Sequence, residues 1–318
     1  MKIITFVIPV YNTEKKYLAR CLKTFEIEFD PRIEIIIVDD GSNTETKKFL
    51  LEESKKIKCD FKIIHKSNGG QNSARNEGIK HASGLFIGFL DSDDCIDWNI
   101  LKKIIPSVNI TDEVFVYGAI QIDENGNKIG ERNYKCEKQE LIRLCQELWS
   151  FLIRKDVFDR IGGLYERAHI GEDFISLILI LDQVSRIKVL EEKPYIYTYR
   201  KSSITHNTKP DQVLELMEAF SYLEIKMLSY DIYISEIEWQ AIYHLLYVEA
   251  GNLIKKDINN QIYIDIILKW MKKHFPNWKD NKYLKKTDLK KHLSFRLCIS
   301  GNYKLYSFLF KIKKGFAK

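Results

Sequence analysis

The chain has 318 residues, of which 45% are hydrophobic and 30% charged, a composition that fits a globular protein and excludes a disordered or fibrous one. Its apolar runs fall short of the ~18 residues that a membrane span requires. Its six cysteines have no zinc-type spacing, so reduced thiols in a cytosolic protein are expected. The net charge of +6 is uneven, because residues 269–318 carry fifteen basic and two acidic residues.

The first hundred residues alternate predicted strands and helices. Apolar runs at 3–8, 33–38, 61–65 and 85–90 predict buried strands, the first of them ended by Pro9. Between the first two runs, Leu18, Cys21, Leu22 and Phe25 have the i, i+3, i+4, i+7 spacing of a helix. This alternation predicts an α/β fold with a mostly parallel, Rossmann-like sheet and right-handed crossovers.

The pattern changes after residue 110. Runs at 114–122 and 128–134 flank Glu124-Asn125-Gly126-Asn127, a hairpin-turn sequence that predicts an antiparallel edge on the parallel sheet. From residue 212 onward, helical periodicity predicts helices at 213–228, 236–254 and 262–274. We therefore expect an α/β domain at residues 1–206 and a helical C-terminal region at residues 207–318.

An acidic cluster, Asp91-Ser92-Asp93-Asp94, follows the fourth predicted strand. Ligands of open α/β sheets bind beyond the carboxyl ends of the strands. Clustered carboxylates repel one another, and their hard oxygens suit Mg²⁺ or Mn²⁺ held together with substrate phosphates. A solvated acidic loop is the alternative, but the buried strand before the cluster favours a metal–phosphate site.

Four motifs, in this order and spacing, resemble those of family 2 glycosyltransferases, which have the GT-A fold. They are Val7-Ile8-Pro9-Val10-Tyr11-Asn12, Ile37-Val38-Asp39-Asp40-Gly41-Ser42, Ser73-Ala74-Arg75-Asn76-Glu77-Gly78 and Asp91-Ser92-Asp93-Asp94. With Gly171-Glu172-Asp173, the resemblance covers about residues 1–205. It implies that residues 1–206 form a nucleotide-sugar-binding and catalytic domain. It also implies an inverting enzyme that moves a hexose or N-acetylhexosamine from a UDP-sugar to a hydroxyl of a glycan. The implied acceptor is a surface polysaccharide, a lipooligosaccharide or a lipid-linked oligosaccharide, and the product is a β-linkage.

The resemblance also implies residues that bind the donor. Asp39 and Asp40 match acids that hold uracil and ribose, although Asp-Gly-Ser is also a strand-to-helix turn with Ser42 or Thr44 as N-cap. Arg75 matches a basic residue that either meets phosphate or pairs with the acids. Gly69-Gly70 and the helix start after it are expected to turn backbone N–H groups toward the diphosphate. The other predicted donor contacts are Pro9, Tyr11, Asn12, Asp91, Ser92, Arg200 and Trp149, the last of which is equally explained as a core residue.

The metal and catalytic roles rest on the same resemblance. Asp93 matches the direct ligand of Mn²⁺ or Mg²⁺, with Asp91 beside it and His206 completing the metal shell. Asp173 matches the general base, which takes the proton of the acceptor hydroxyl, and Glu172 would orient the acceptor. Taken without the resemblance, two acids that open a helix are explained by the helix dipole.

The basic C-terminal tail mixes aromatic residues, leucines and lysines between residues 295 and 314. This pattern predicts contact with an anionic membrane, at the inner face of the cell membrane, while a solvated surface is the alternative. No nucleic-acid motif is present, so no nucleic-acid partner is expected. The sequence leaves the oligomeric state open.

Two rival functions remain. A non-catalytic glycosyltransferase-like subunit would bind nucleotide or glycan, but the sequence keeps the acids that such a subunit would lack. A nucleotidyltransferase would also join an α/β sheet to Mg²⁺ and phosphate, but the sequence shows no Gly/Arg/Lys loop of that type near its start.

Overall fold

The structure is a computed structural model that describes residues 1–26, 30–135, 137–144, 146–200 and 209–315. The chain divides into two compact units. The first unit comprises Met1–Leu141, Cys145–Glu166 and Glu172–Lys201. The second unit comprises Ile142–Leu144, Arg167–Gly171 and Ser202–Lys318.

The strands of the first unit form two sheets. In chain order they are β1 (Ile4–Val10), β2 (Ile33–Asp40), β3 (Asp60–Lys66), β4 (Phe86–Phe89), β5 (Cys95–Ile96), β6 (Val114–Val116), β7 (Ala119–Ile122), β8 (Lys128–Arg132), β9 (Phe151–Arg154), β10 (Ile187–Val189) and β11 (Tyr195–Thr198). The larger sheet has the order β10-β6-β9-β4-β1-β2-β3. Within it, β9 runs antiparallel to β4 and β6, and the other pairs are parallel. The predicted α/β fold with a mostly parallel sheet is confirmed.

The predicted hairpin belongs to the smaller sheet. That sheet has the order β5-β11-β7-β8, and β7 pairs antiparallel with β8 across the Asn-Gly turn. The predicted run at 114–122 is therefore two strands, because the chain leaves the larger sheet after β6 and enters the smaller sheet at β7. The antiparallel strand of the larger sheet is instead β9, which lies inside the sheet and not at its edge.

The helices that pack in the first unit include α1 (Lys15–Lys23), α2 (Thr44–Ser54), α3 (Gln71–His81), α4 (Trp98–Ile104), α6 (Lys155–Ile161) and α7 (Glu172–Gln183), and α5 (Lys138–Leu144) spans the division between the units. α3 lies against β1 and β2. A Cβ atom on Gly78 would lie 2.3 Å from Val7 Cγ1, so glycine is what allows this close approach. The N-cap of α2 is Asn43, whose side chain accepts from Thr46 N, and not Ser42 or Thr44 as predicted.

Pro9 continues β1 and does not end it. Ile3 O accepts from Phe86 N of β4, and Val7 O accepts from Leu90 N, directly after β4. The backbone N–H and C=O groups of alternate residues therefore point toward β4, and Pro9 is one of these residues. The pairing of β4 with β1 stops at Val7 and Phe89. The N–H that Pro9 lacks is therefore not required for pairing, which explains a proline in a central strand.

The second unit is helical, as predicted for the C-terminal region. Its helices are α8 (Pro210–Lys226), α9 (Ile234–Ala241), α10 (Ala250–Lys256), α11 (Gln261–His274), α12 (Lys282–Lys286), α13 (Leu293–Ile299) and α14 (Tyr303–Gly315), and a π-helical stretch (Ile242–Glu249) joins α9 to α10. Buried aliphatic residues such as Leu216, Leu245 and Ile267 form its core. Over the described ranges, no helix is both long and apolar enough to span a bilayer.

Candidate active site

The predicted donor-binding residues of the first hundred positions lie at the carboxyl ends of the strands of the larger sheet. β1 pairs in parallel with β2 and β4, and Val10 is in register with Asp39. The carboxyl ends of these strands are therefore adjacent. Tyr11 and Asn12 follow β1, Asp39 and Asp40 end β2, and the acidic cluster follows β4.

Asp39 is fully buried at the end of β2. Its carboxylate accepts from Ser42 N at 2.9 Å and lies 2.8 Å from His65 Nδ1, with Lys47 Nζ at 3.7 Å. Burial alone would raise the pKa of Asp39, but the hydrogen bonds from His65 and Ser42 outweigh burial and lower the pKa. The lowered pKa favours the ionised form of this side chain, which acts as a hydrogen-bond acceptor.

Asp40 binds the glycine loop that precedes α3. Its carboxylate accepts from Gly69 N at 3.0 Å, from Gly70 N at 2.9 Å and from Lys66 Nζ at 2.8 Å. The two N–H groups that we expected to turn toward a diphosphate thus donate to Asp40. Gly70 has a φ of +94°, a conformation that favours glycine, and it is the N-cap of α3. The structure gives Asp40 the role of fixing the start of α3, and its contact with the donor stays a prediction.

Tyr11 and Asn12 form an outward loop after β1. The Tyr11 side chain is 55% exposed, whereas Pro9 is buried in the strand. Asn12 adopts a φ of +49°, which its short polar side chain tolerates. Asn12 N donates to Ser42 Oγ and Asn12 Oδ1 accepts from Asn43 N at 2.8 Å, so this loop is tied to the loop after β2.

Arg75 connects two acids that the sequence assigned to different tasks. From α3 it donates through Nη2 to Asp91 Oδ1 at 2.8 Å and through Nη1 to Asp173 Oδ1 at 2.5 Å. Asp91 follows β4 and Asp173 opens α7, so they lie 82 positions apart in the chain. One guanidinium thus holds the predicted donor or metal acid and the predicted base together.

The environment of Arg75 is unusual for a cation. The side chain is completely buried, and its guanidinium lies 5.4 Å from the ring centroid of Phe89. Nη1 also donates to Asn72 Oδ1 at 2.9 Å, while Nε has no hydrogen-bond partner among the described residues. Burial opposes the charge, but the neighbouring carboxylates raise the pKa of Arg75, so it stays charged. Of the two roles that the sequence left open, the geometry shows pairing with the acids.

Asn72 fixes the first turn of α7 against α3. Its Nδ2 donates to Tyr165 O at 2.9 Å, to Ser176 Oγ at 3.2 Å and to Glu172 O at 3.3 Å. Ser176 Oγ in turn accepts from Tyr165 N at 3.0 Å. These contacts hold the backbone that carries Glu172 and Asp173, so the two acids are positioned by a neutral, buried network.

The two acids of α7 have raised pKa values. Burial raises the pKa of Asp173, and the charge of Arg75 opposes the rise without cancelling it. Burial and the charge of Asp173 raise the pKa of Glu172 to about 8. At neutral pH, Glu172 is therefore largely protonated and able to donate a hydrogen bond. The rise in the pKa of Asp173 moves this acid toward the range of a general base.

Asp93 lies beside two arginines. Its carboxylate forms an ion pair with Arg200, and its backbone carbonyl accepts from Arg20 Nη2 at 3.0 Å. Burial and the charge of Asp91 raise the pKa of Asp93, and Arg200 opposes that rise. The negative charge at Asp93 is therefore incompletely compensated by its protein neighbours.

Asp94 and Ser92 have structural partners within the acidic loop. Asp94 is buried, and its carboxylate accepts from Tyr195 Oη at 2.8 Å and from Thr198 N at 2.7 Å. Tyr195 Oη also accepts from Asp91 N at 3.2 Å. Ser92 Oγ lies 2.7 Å from Thr13 Oγ1. The strand β11 thus fixes the acidic loop through its side chains and backbone.

Trp149 is a core residue in this structure. Its side chain is buried, its ring stacks on Tyr195 at 4.2 Å between centroids, and Tyr197 lies 5.9 Å away. This is one of the two interpretations that the sequence left open. A contact between Trp149 and the donor sugar stays a prediction.

The acidic cluster contains two candidate ligands for a divalent cation. Over the described part of the chain, no three His, Cys, Asp or Glu side chains converge into a preformed metal site. Asp91 and Asp93 nevertheless supply hard oxygen ligands, and Mg²⁺ is commonly held by one or two carboxylates plus substrate phosphates. Burial and the negative charge of Asp91 raise the pKa of Asp93, and a cation bound between these acids would offset both effects. His206, the third predicted ligand, lies outside the described residues.

The sequence did not reveal several residues that position the site. Asn72, Gln71 and Tyr195 contact site residues that lie 20 to 104 positions away in the chain. Gln71 Nε2 donates to Asp91 Oδ1 at 2.8 Å. Gln71 and Asn72 directly precede the Arg75 motif on α3, so their place on that helix is the one signal that the sequence offered.

The chain is similar to known glycosyltransferases. A family model described as glycosyl transferase family 2 matches residues 5–163. Two curated relatives come from Bacillus subtilis (strain 168): the uncharacterized glycosyltransferase EpsJ is 27% identical over 64% of this chain and 63% of its own length, and the minor teichoic acid biosynthesis protein GgaA is 24% identical over 90% of this chain and 68% of its own length.

A solved structure has the same fold. S. aureus TarS, residues 1–349, in complex with UDP-GlcNAc, superposes with a TM-score of 0.73 at 17% identity, covering 99% of this chain and 92% of that chain. The chain spans between 34% and 63% of the length of three curated glycosyltransferases that it matches.

Proposed function

Because the chain belongs to glycosyl transferase family 2, we propose that it transfers a hexose or N-acetylhexosamine from a UDP-sugar to a hydroxyl of a glycan acceptor, with inversion at the anomeric carbon. The observation that carries this proposal is the bridge formed by Arg75. One buried guanidinium joins Asp91, at 2.8 Å, to Asp173, at 2.5 Å. The acid assigned to the donor and the acid assigned to the base are therefore within one side chain of each other.

The donor would bind across the carboxyl edge of β1 and β2. Asp39 is ionised and buried, and it would accept a hydrogen bond from the base N–H of the nucleotide. Tyr11 is half exposed above this edge and would lie against the base, with Pro9 and Asn12 shaping the same loop. A UDP-sugar is supported by the similar fold of TarS, which was solved with UDP-GlcNAc.

Asp173 would act as the general base. As the acceptor oxygen forms its bond to the anomeric carbon, the proton of the acceptor hydroxyl moves to Asp173. The bond between the anomeric carbon and the diphosphate oxygen breaks, and its electron pair leaves with UDP. Attack from the face opposite to the leaving group inverts the configuration, so an α-linked donor gives a β-glycoside.

Arg75 would set the distance between Asp91, on the donor side, and Asp173, on the acceptor side. Its planar fork makes separate hydrogen bonds to Asp91 and to Asp173, so neither carboxylate moves without the other. Its positive charge also opposes the rise that burial causes in the pKa of Asp173. Asn72 would support both roles, because it contacts Arg75 and the backbone of Glu172.

Asp93 and Asp91 would hold Mn²⁺ or Mg²⁺, whose chemistry is to neutralise charge on the diphosphate as UDP leaves. Arg200 now pairs with Asp93 and would be available to a donor phosphate when the carboxylate takes another partner. Glu172, protonated at neutral pH, would donate a hydrogen bond to the acceptor.

The acceptor would be a growing surface glycan. GgaA is named for minor teichoic acid biosynthesis, and its alignment covers 90% of this chain. The named function of that relative supports a cell-surface polymer as the acceptor class. The shape of the binding pocket would determine which sugar is transferred and which linkage is formed.

The test is release of UDP from a panel of UDP-sugars with Mn²⁺, with and without an acceptor, and again with EDTA. We expect one donor to be consumed and the chelator to abolish the reaction. Binding of UDP without turnover of any donor, in the presence of glycan and lipid-linked acceptors, would contradict an enzyme and favour a binding subunit. Turnover that survives EDTA would contradict the metal requirement but not the proposed transfer reaction.

A further inference from the structure

An exposed aliphatic patch lies at the turn between α8 and α9 in the second unit. Ile225 is 78% exposed, Leu228 is 82% exposed and Ile232 is 70% exposed, all within eight residues of sequence. Single exposed aliphatic residues are ordinary, whereas three within eight residues of sequence are a candidate interaction surface. We call these three residues the aliphatic turn.

The backbone holds the aliphatic turn in place. Met227 is buried and its N–H donates to Leu223 O at 2.9 Å, which closes the end of α8. Farther along, Ile232 N donates to Ser229 O at 3.1 Å, and Tyr233 N donates to Tyr230 O at 3.2 Å. The turn is therefore a hydrogen-bonded structure that presents its aliphatic side chains outward.

A lysine-rich segment is tied to both ends of this turn. At one end, Glu224 Oε2 lies 2.9 Å from His274 Nδ1. At the other end, Asn281 Nδ2 donates to Ser235 O at 2.8 Å and to Glu238 Oε2 at 2.7 Å. Residues 272–286 therefore run beside the aliphatic turn. This basic segment exposes six lysines against a single acid, Asp280: Lys272, Lys273, Lys279, Lys282, Lys285 and Lys286.

From this arrangement we infer that the aliphatic turn and the basic segment together dock on the surface of an anionic lipid bilayer. The aliphatic side chains would enter the boundary between headgroups and acyl chains, and the lysines would lie at the level of the anionic headgroups. Among the acids nearby, Glu236 pairs with Lys282 and Asp280 pairs with Lys285, while Glu224 and Glu238 contact His274 and Asn281. Residues 224–238 and 272–286 together hold seven lysines against five acids, so a net positive charge remains. Asp231 is the exposed acid of the turn itself.

Charge also argues against a second copy of the chain as the occupant. In a two-fold contact each patch meets itself, so the basic segment would face an identical basic segment. Three side chains are also far from the roughly 800 Å² per partner that a stable interface buries. An anionic surface satisfies both the aliphatic turn and its lysines. This inference concerns the second unit and does not rest on the proposed transfer reaction.

The test is sedimentation of the full chain with vesicles of phosphatidylcholine, with and without roughly 30% phosphatidylglycerol. We expect binding to the anionic vesicles at least about tenfold tighter than to the neutral ones. Ile225→Ser with Ile232→Ser should weaken binding about tenfold. Lys272→Glu with Lys273→Glu should weaken it by at least about thirtyfold. These residues are exposed, so the variants should keep the circular dichroism spectrum of the parent.

Matched control variants distinguish binding by this surface from nonspecific binding to vesicles. Ile129→Ser removes a 53% exposed isoleucine of β8, and Lys48→Glu with Lys55→Glu reverses two exposed lysines in and next to α2. Both controls should bind vesicles like the parent. Equal binding to neutral and anionic vesicles would overturn the proposal, as would controls that lose as much as the test variants. A dimer in sedimentation that the Ile225 and Ile232 changes abolish, without vesicle binding by the parent, would replace the membrane with a second copy.

Discussion

Two ion clusters of the first unit lie at opposite ends of the strands of the larger sheet and differ in their electrostatics. At the carboxyl edge, the Arg75 cluster places one cation between Asp91 and Asp173. At the amino edge, just before β6, the Glu113 cluster surrounds one acid with donors. Glu113 accepts from Arg160 Nη2 at 2.9 Å, from Ser185 N at 2.8 Å and from Arg186 N at 3.1 Å.

The pKa values show the difference. Burial would raise the pKa of Glu113, but the hydrogen bonds from Ser185 and Arg186 outweigh burial and lower the pKa to about 2. In the Arg75 cluster, burial wins, and the pKa values of Asp173 and Glu172 are raised. The Glu113 cluster therefore stabilises the fold, whereas the Arg75 cluster keeps charge that its neighbours do not fully satisfy. Such imbalance is typical of a site that awaits a ligand.

The largest expected effect is on turnover in the Asp173→Asn variant. Asparagine keeps the shape and a hydrogen-bond acceptor near Arg75 but cannot take the proton of the acceptor hydroxyl. Loss of a general base lowers turnover on the order of 10³-fold, about 4 kcal/mol of transition-state stabilisation. UDP binding by calorimetry should be retained. The matched control is Asp159→Asn, an exposed aspartate of α6, and turnover of Asp173→Asn equal to that of the control would reject Asp173 as the base.

Next in size is the acid dependence of stability that Glu113 provides. Its pKa is lowered from 4.5 to about 2, so its contribution is present above the unfolded value of 4.5 and is lost as pH falls toward 2. That shift corresponds to about 3 kcal/mol for this largely buried group. Urea unfolding between pH 6 and pH 3 should show the loss. In Glu113→Gln the unfolding free energy should be lower at neutral pH and flatter with pH, whereas the exposed Glu52→Gln should follow the parent.

The Arg75→Lys variant tests whether geometry, and not charge alone, matters in the Arg75 cluster. Lysine keeps the positive charge but reaches one carboxylate and not two, because it lacks the planar fork. A misplacement of about 1 Å can cost about 10²-fold in rate, near 2.7 kcal/mol. We expect turnover to fall by that amount with a smaller change in the KM of the donor. A lysine variant with full turnover would show that charge is sufficient.

The sequence predicted the edge of the sheet where the site lies, because position along a parallel strand is a local property. A buried apolar run followed by acids identifies the end of β2 and of β4, and the order of strands brings those ends together. The start of α7 at Glu172 was predicted from another local pattern, two acids in the first turn of a helix. These features depend on patterns of fewer than about ten residues.

Contacts between distant segments were not predictable in this way. Nothing in the Arg75 motif indicates whether its guanidinium meets a phosphate or Asp173, since the answer depends on where α7 packs 98 positions later. The hydrogen bonds from Gly69 N and Gly70 N to Asp40 likewise depend on how closely the loop before α3 approaches the end of β2. The insertion of β9 between β4 and β6 reverses a strand inside the sheet, and a four-residue strand has no signal for its direction.

The smallest expected effect, in Glu172→Gln, distinguishes the two acids of α7. The pKa of Glu172 is raised to about 8, so at pH 7 it is mostly a neutral donor, and a carboxamide donates in the same place. We expect turnover within about threefold of the parent, under 1 kcal/mol. Glu172→Ala, which removes the donor, should lose more. A glutamine variant as slow as Asp173→Asn would mean that Glu172 works as an anion.

A second measurement on the same variant checks the protonation itself. A carboxyl group whose folded pKa lies above its unfolded value binds its proton more tightly in the folded state, so its contribution to stability is lost as pH rises from 4.5 toward 8. The unfolding free energy of the parent should carry this decline, and Glu172→Gln should not. Glu113 gives the opposite slope at lower pH, so the two clusters can be told apart in one stability profile. An identical profile for parent and variant above pH 4.5 would place an ionised Glu172 in the folded protein, and the Arg75 cluster would then carry three negative charges at neutral pH.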